Sequence, residues 1–217
     1  EMAVRGDIVG GSNRTIIFHI FKDTDLFVTG ETYGFGITAS AGSTAAASTA
    51  SEFTTTTPWY DGSTITIGKG SITVTKSQAV AAQNVAENTL NMALGAFDVE
   101  VKGEPISVGR TDFYFGVTGT GNALDMTQVV LADANGSVVA GPVDAAAVGT
   151  GGRARFTDSI TFPKGKNVYF LKGKYGTDFA NNDTVTASTT PSDDWTTVTG
   201  QETGDTITPS PTSPVEG

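Results

Sequence analysis

Residues 7–37 read DIVGGSNRTIIFHIFKDTDLFVTGETYGFGI, and residues 159–189 read SITFPKGKNVYFLKGKYGTDFANNDTVTAST. The two stretches align without a gap at a constant offset of 152 positions, so that Ile8 falls on Ile160, Phe18 on Phe170, Lys22 on Lys174, Phe27 on Phe179 and Thr32 on Thr184. Arg14 with Lys166, Ile16 with Val168 and Glu31 with Asp183 keep chemical type. Self-similarity at a fixed spacing marks one supersecondary unit used twice. Nothing before the first copy matches the region from about 70 to 157 that precedes the second. The expected organisation is therefore the back half of one module followed by one whole module. Such a chain is either a piece of a longer tandem array or a subunit whose half-module a neighbour completes.

Within the repeat the pattern is that of strands. Thr15 to Phe21 alternates, with Ile16, Phe18 and Ile20 on one face and Ile17, His19 and Phe21 on the other. Its copy Asn167 to Gly173 keeps Val168 and Phe170 on the first of these faces, which is taken as the core face although Lys172 stands where Ile20 does. Leu90, Met92 and Leu94 are even-numbered and Phe97, Val99 and Val101 odd, so the inward parity slips at Gly95, as a β-bulge there requires. Phe113, Phe115 and Val117 alternate too, and Val129–Leu131 and Val138–Val139 flank Asp133-Ala134-Asn135-Gly136, a hairpin signal. Gln78 to Ala93 has helix formers, but Asn84, Asn88, Thr89 and Asn91 oppose them, and strand or extended coil is expected. Short strands with Gly and Asn turns between them argue for an all-β chain built as a β-sandwich.

Composition agrees. Thr and Ser supply roughly a quarter of the chain, and 27 glycines exceed the usual share. There is no cysteine, which excludes disulfides, thiolate metal sites and a cysteine nucleophile. A net charge of −10 repels phosphate backbones and anionic membranes, so nucleic acid is not expected as a partner, and no apolar run suits membrane insertion. The boundaries read as a partial β module over 1–68, with a low-complexity loop at 41–57, a complete module over 69–208, and a Pro/Ser/Thr-rich tail or linker over 209–217.

Chemistry-bearing residues are sparse. His19 is the single histidine, lies in a strand and has Leu171 as its repeat partner; no nucleophile elbow accompanies it. Carboxylates gather at Asp23, Asp25 and Glu31, at Asp178 and Asp183, and at Asp193–Asp194, without the ligand spacing of a calcium loop. Arg5-Gly6-Asp7 matches an integrin-type tripeptide in wording only. Asn13, Asn135 and Asn182 head glycosylation triplets of a kind that a Thr- and Asn-rich chain contains by accident, and the tracts 51–57 and 208–213 are candidate O-glycan carriers. Trp59, Tyr60 and Trp195 would suit either a core edge or a sugar-stacking platform, with the core reading favoured. No catalytic, cofactor-binding or metal-ligating residue is assigned, no cofactor is expected, and the chain is not expected to be an enzyme.

The succession Gly70-Ser71-Ile72-Thr73-Val74, Ala82-Gln83-Asn84-Val85 leading to Ala96-Phe97-Asp98-Val99, Val129-Val130-Leu131 with Asn135-Gly136, Ile160-Thr161-Phe162-Pro163-Lys164-Gly165 and Gly204-Asp205-Thr206-Ile207 resembles Ig-like modules strung along large cell-surface proteins of uncultivated, small-genome bacteria. The resemblance covers about residues 69–209 and is echoed in 7–75. It implies an Ig-like β-sandwich, an extracellular or cell-surface location, and a structural role in a surface filament or surface layer. Assembly would run by β-strand pairing or complementation, with Glu1 to Ile8 and the stretch from Pro209 as connectors. The partners would then be other copies of the chain or adjacent modules, and glycans under the alternative reading of an adhesin or carbohydrate-binding module.

Overall fold

The structure is a computed structural model and describes residues 4–7, 14–40 and 53–217. The chain is mostly β, with one four-residue helix and two single 3-10 turns among the described residues. Among the described residues no helix is long and apolar enough to cross a membrane. The described residues fall into two compact units, 14–40 with 53–68, and 69–217 with 4–7.

The smaller unit contains four two-residue strands, β1 (Thr15–Ile16), β2 (Val28–Thr29), β3 (Gly36–Ile37) and β4 (Ile65–Thr66). Antiparallel β1 and β4 pair through Thr15–Thr66 and Ile16–Ile65, and β2 and β3 through Val28–Ile37 and Thr29–Gly36. Two reciprocal bonds, Ile20 N–H to the Tyr60 carbonyl at 3.1 Å and Tyr60 N–H to that of Ile20 at 3.0 Å, add one bridge.

The larger unit begins with β5 (Ser71–Lys76), β6 (Met92–Lys102), β7 (Ile106–Thr118), β8 (Met126–Ala132) and β9 (Val138–Val143). It continues through β10 (Ala146–Val148), β11 (Gly151–Phe156), β12 (Ile160–Phe162), β13 (Gly165–Tyr175) and β14 (Thr184–Thr189). Helix α1 (Pro191–Asp194), β15 (Trp195–Gly200) and β16 (Val215–Glu216) complete it. One sheet has the order β5-β6-β13-β8-β9. The other has the order β10-β11-β7-β14-β16, with β12 and β15 also paired to β7.

Strand β7 organises the second sheet. Along one edge it pairs with β12 and then β11, and along the other with β15 and then β14. Its 13 residues reach that far because apolar side chains keep pointing into the core, at Ile106 and Val108 and then at Phe113 and Phe115. The inward parity changes across Gly109 and Arg110. Between the sheets, Phe97 meets Phe113 at 5.1 Å and Phe162 meets Tyr169 at 5.0 Å, and within the second sheet Trp195 of β15 stacks on Phe162 of β12 at 5.3 Å and 18°. These contacts join both sheets in one apolar core.

Several local expectations are met. The ladder between β13 and β6 steps from Leu171–Gly95 to Lys172–Ala93, leaving Leu94 as the extra residue of a bulge at Gly95. Gln78 to Leu90 is coil and turn, and β6 begins at Met92. In the turn between β8 and β9, residues 133–137, Gly136 alone takes a positive φ, +85°, while the Asp133 carboxylate accepts the N–H groups of Asn135 and Ser137. A side-chain cap thus replaces the second positive φ expected of the Asn-Gly turn.

The expected core face of the repeat strand is corrected. Tyr169, Leu171, Gly173 and Tyr175 face the core, and Val168 and Phe170 lie on the outer face, where the Lys172 ammonium sits 5.7 Å from the Phe170 ring centroid. Lys166, Lys172 and Lys174 share the parity of Phe170, and three ammonium groups keep that face in water.

Residues 209–217, expected to be a tail or linker, return to the larger unit. The Ser210 carbonyl accepts Val74 N–H at 2.8 Å, Ser210 N–H donates to Ile72 at 3.0 Å, and Glu216 and Val215 pair with Ser188 and Thr189 of β14. Pro209 and Val215 are buried. Pro209, Pro211 and Pro214 flank or lie between these contacts, where a missing N–H leaves no ladder position unfilled.

Candidate assembly surface

Every strand of the smaller unit has a short ladder and one partner. Two-stranded ribbons are marginal in water, and stability needs further strands or a packed apolar face. Here large apolar side chains are present and uncovered. Of the fourteen exposed large apolar side chains among the described residues, ten belong to this unit: Ile17, Phe18, Phe21, Phe27, Val28, Tyr33, Phe35, Ile37, Phe53 and Ile65. Trp59, packed on Phe53 with ring centroids 4.4 Å apart, is its single buried residue within 14–40 and 53–68.

The second copy of the repeat shows what these positions do when they have partners. Phe27 is 89% exposed, whereas its counterpart Phe179 packs edge-on to Tyr175 at 5.4 Å. Phe35 is 76% exposed, and its counterpart Ala187 is 1% exposed and pairs with Phe115 of β7. Ile17 is 40% exposed and its counterpart Tyr169 5%, against β6 and the core. The hairpin of β2 and β3 is held internally, by Gly30 N–H to the Phe35 carbonyl at 2.9 Å and Gly34 N–H to Gly30 at 2.8 Å. Its side chains have no second layer among the described residues. Burying one large apolar side chain is worth roughly 1.5–3 kcal/mol, so this surface stores a substantial drive to association.

The residues singled out from sequence fall elsewhere. The His19 imidazole Nδ1 lies 2.8 Å from the Asp61 carboxylate, and both side chains are partly exposed. Asp23 and Asp25 cap their own 3-10 turn, accepting Thr24 and Lys22 N–H groups, and Glu31 is exposed. Asp183 accepts the N–H groups of Ala180 and Thr120, which hold its carboxyl below the usual range. Asp178 is exposed; Asp193 accepts the Ser192 hydroxyl and Asp194 the Thr190 N–H. No group of three metal-ligating side chains occurs among the described residues. Arg5-Gly6-Asp7 is exposed coil, Asn135 and Asn182 sit in exposed turns, and Asn13 and residues 41–52 lie outside the described residues. Trp195 is buried, with its indole N–H on the Thr189 hydroxyl at 3.0 Å, and Tyr60 is half-buried 4.7 Å from Phe53. Neither tryptophan offers its face to solvent.

Two buried carboxylates escaped the sequence reading. Asp112, on the outer face of β7, is 1% exposed and takes a bidentate bond from Arg155, at 3.0 Å from Nε and 2.7 Å from Nη2, with Arg110 and Arg153 each 3.9 Å away. Beside it, burial pushes the Asp194 carboxyl up despite its bond from Thr190, and burial with the Asp194 charge pushes up the Tyr114 phenol. Glu104, 3% exposed, ties three segments together: it accepts Gly70 N–H at 3.4 Å, Glu202 and Thr203 N–H at 2.8 Å each, and the Thr203 hydroxyl at 2.6 Å. Burial alone would raise its carboxyl, and these four bonds outweigh burial and hold it below the ordinary glutamate value. Neither group has a local motif, because each meets partners 34 to 99 residues away.

Comparison of the chain with protein-family models, with curated proteins and with solved structures gives no match.

Proposed function

We propose that the chain is an extracellular structural building block of a surface filament or surface layer, consisting of one Ig-like β-sandwich module preceded by a half-module and assembled by β-strand complementation between modules. The observation that carries this reading is the contrast between the two copies of one sequence repeat: the second is folded into a core, and the first leaves eight large apolar side chains in water. Unpaired strand edges and exposed apolar faces are the two features that soluble proteins suppress unless a partner covers them. The Ser- and Thr-rich composition supports an exterior location. Burial of Trp59 and Trp195 leaves the alternative of an adhesin or carbohydrate-binding module without its expected stacking platform.

Negative-stain electron microscopy and sedimentation velocity over a range of concentrations test the proposal. The unmodified chain is expected to form regular filaments or sheets. The double variant Phe27→Ser with Phe35→Ser should remain dispersed while keeping its own fold, because both side chains are exposed in the isolated chain. A wild-type chain that stays monomeric at every concentration would overturn it.

A further inference from the structure

The second copy also shows what shape the missing partner has. Strand β13 is flanked by β6 on one side and β8 on the other, and β12, β14 and β15 all pair with the single strand β7. The strands that flank β12, β13 and β15 thus come from residues 92–132, above all from β7 with its inward Phe113 and Phe115, and β14 lies between β7 and β16. A lone extended segment cannot supply this. It would pair one edge and leave Phe27, Tyr33 and Phe35 without a facing sheet.

The stretches with strand-donor potential are also accounted for. Residues 210–217 are engaged in their own unit, where Ser210 bonds to β5, Val215 and Glu216 pair with β14, and Gly217 N–H donates to Ala187 at 2.9 Å. Donating them elsewhere would open that core. The complete module likewise uses its one front half, residues 69–157, for its own back half, so exchange between two copies satisfies one back half by exposing another.

We infer that the occupant of the smaller unit is a second front half, of the same type as residues 69–157, carried by a neighbouring module and presenting a long β7-like strand in one sheet and, in the facing sheet, β6- and β8-like strands with room for one strand between them. The inference rests on the assembly reading above and specifies its joint. The residues that receive the front half are those whose counterparts touch it in the complete module: Ile17 and Phe21 as Tyr169 and Gly173 do, and Phe27, Tyr33, Phe35 and Ile37 as Phe179, Val185, Ala187 and Thr189 do.

The test inserts a copy of residues 69–158 between Gly6 and Asp7 of the full chain, so that the added front half precedes the first repeat as residues 69–158 precede the second. Hydrogen exchange followed by mass spectrometry is expected to show amides of 15–37 slowed by about two orders of magnitude relative to the unmodified chain. Binding of a hydrophobic dye should fall, and Phe35→Asp in the extended chain should restore fast exchange over 15–37 while leaving 159–200 protected. Unchanged exchange over 15–37, with the inserted copy itself unprotected, overturns the inference. If the unmodified chain still forms filaments in that case, the assembly reading survives and a second copy of the smaller unit is the cover. If the inserted copy folds on 15–37 but the unmodified chain never assembles, the inference stands and the assembly reading fails.

Discussion

Removing the Glu104 carboxylate should destabilise the larger unit in a way that depends on pH. In Glu104→Ala, the N–H groups of Gly70, Glu202 and Thr203 and the Thr203 hydroxyl lose their common acceptor. A hydrogen bond to a buried charged group is worth about 1.5–3 kcal/mol and the values do not add, and water can reach the Glu202 side of the site. The expected loss is therefore about 3–5 kcal/mol rather than the sum of four bonds. In Glu104→Gln the amide oxygen can keep the two 2.8 Å backbone bonds, and the Thr203 hydroxyl can turn to accept from the new NH2 group. The cost falls to about 1–2 kcal/mol, the charge assistance and the Gly70 contact.

The sign of the pH effect follows from the depressed carboxyl. Its stabilisation is complete above the ordinary value near 4.5 and is lost as pH falls through the lower value of the folded state. The stability difference between wild type and Glu104→Gln should therefore shrink as pH drops from 5 towards 3. The assay is urea unfolding followed by Trp195 fluorescence in a Trp59→Phe background, which leaves one indole, in the larger unit. A loss below about 1 kcal/mol for Glu104→Ala, or a wild-type to Glu104→Gln difference constant from pH 7 to 3, refutes the reasoning.

Gly200→Ala should cost about 2–4 kcal/mol, because a Cβ there would land on the Glu104 carboxyl group, and in a double-mutant cycle with Glu104→Ala the two losses should fall well short of additive. Asp112→Asn, which leaves three guanidinium groups around a neutral amide, should cost about 3 kcal/mol in the same unfolding assay, and Arg155→Met clearly less, since Arg110 and Arg153 remain beside the carboxylate. Trp195→Phe should lower stability by about 1–2 kcal/mol through the smaller stack on Phe162 and the lost indole N–H bond to the Thr189 hydroxyl, which keeps its own bond to the Asp112 carbonyl, read by thermal unfolding followed by circular dichroism.

Legibility tracked the range of the interaction. The all-β character, the β8–β9 turn and the bulge at Gly95 were readable because alternation and turn residues act within a few positions. The inward face of β13 was misread for an instructive reason: Phe170 was weighted over Lys166, Lys172 and Lys174, although one apolar ring on a face with three ammonium groups is better explained as a ring under a cation. The pairing of 210–217 was hidden by its prolines, which suggest a linker, whereas the contacts fall on Ser210, Val215 and Glu216. The Asp112 and Glu104 sites were beyond reach because strand register, not spacing, brings Arg155 opposite Asp112 and Thr203 onto Glu104.

The two copies of the repeat separate what a β-sequence encodes from what its neighbours add. Both carry apolar residues at matching places, but the first pairs only with itself and its own small unit, through the β2–β3 hairpin and the β1–β4 ladder. Only the copy supplied with β7 acquires long ladders, since a strand's hydrogen bonds and its burial both belong to the strand beside it. The first copy contributes more large side chains than the second at three matched positions, with Phe35 for Ala187, Ile37 for Thr189 and Phe21 for Gly173. A front half cut to fit residues 159–189 would therefore pair with residues 7–37 but pack on them less closely than one of smaller volume. Smaller residues at the positions of Phe97 and Phe113 are the expected mark of a front half matched to the smaller unit, and that volume constraint makes adjacent modules distinguishable to one another.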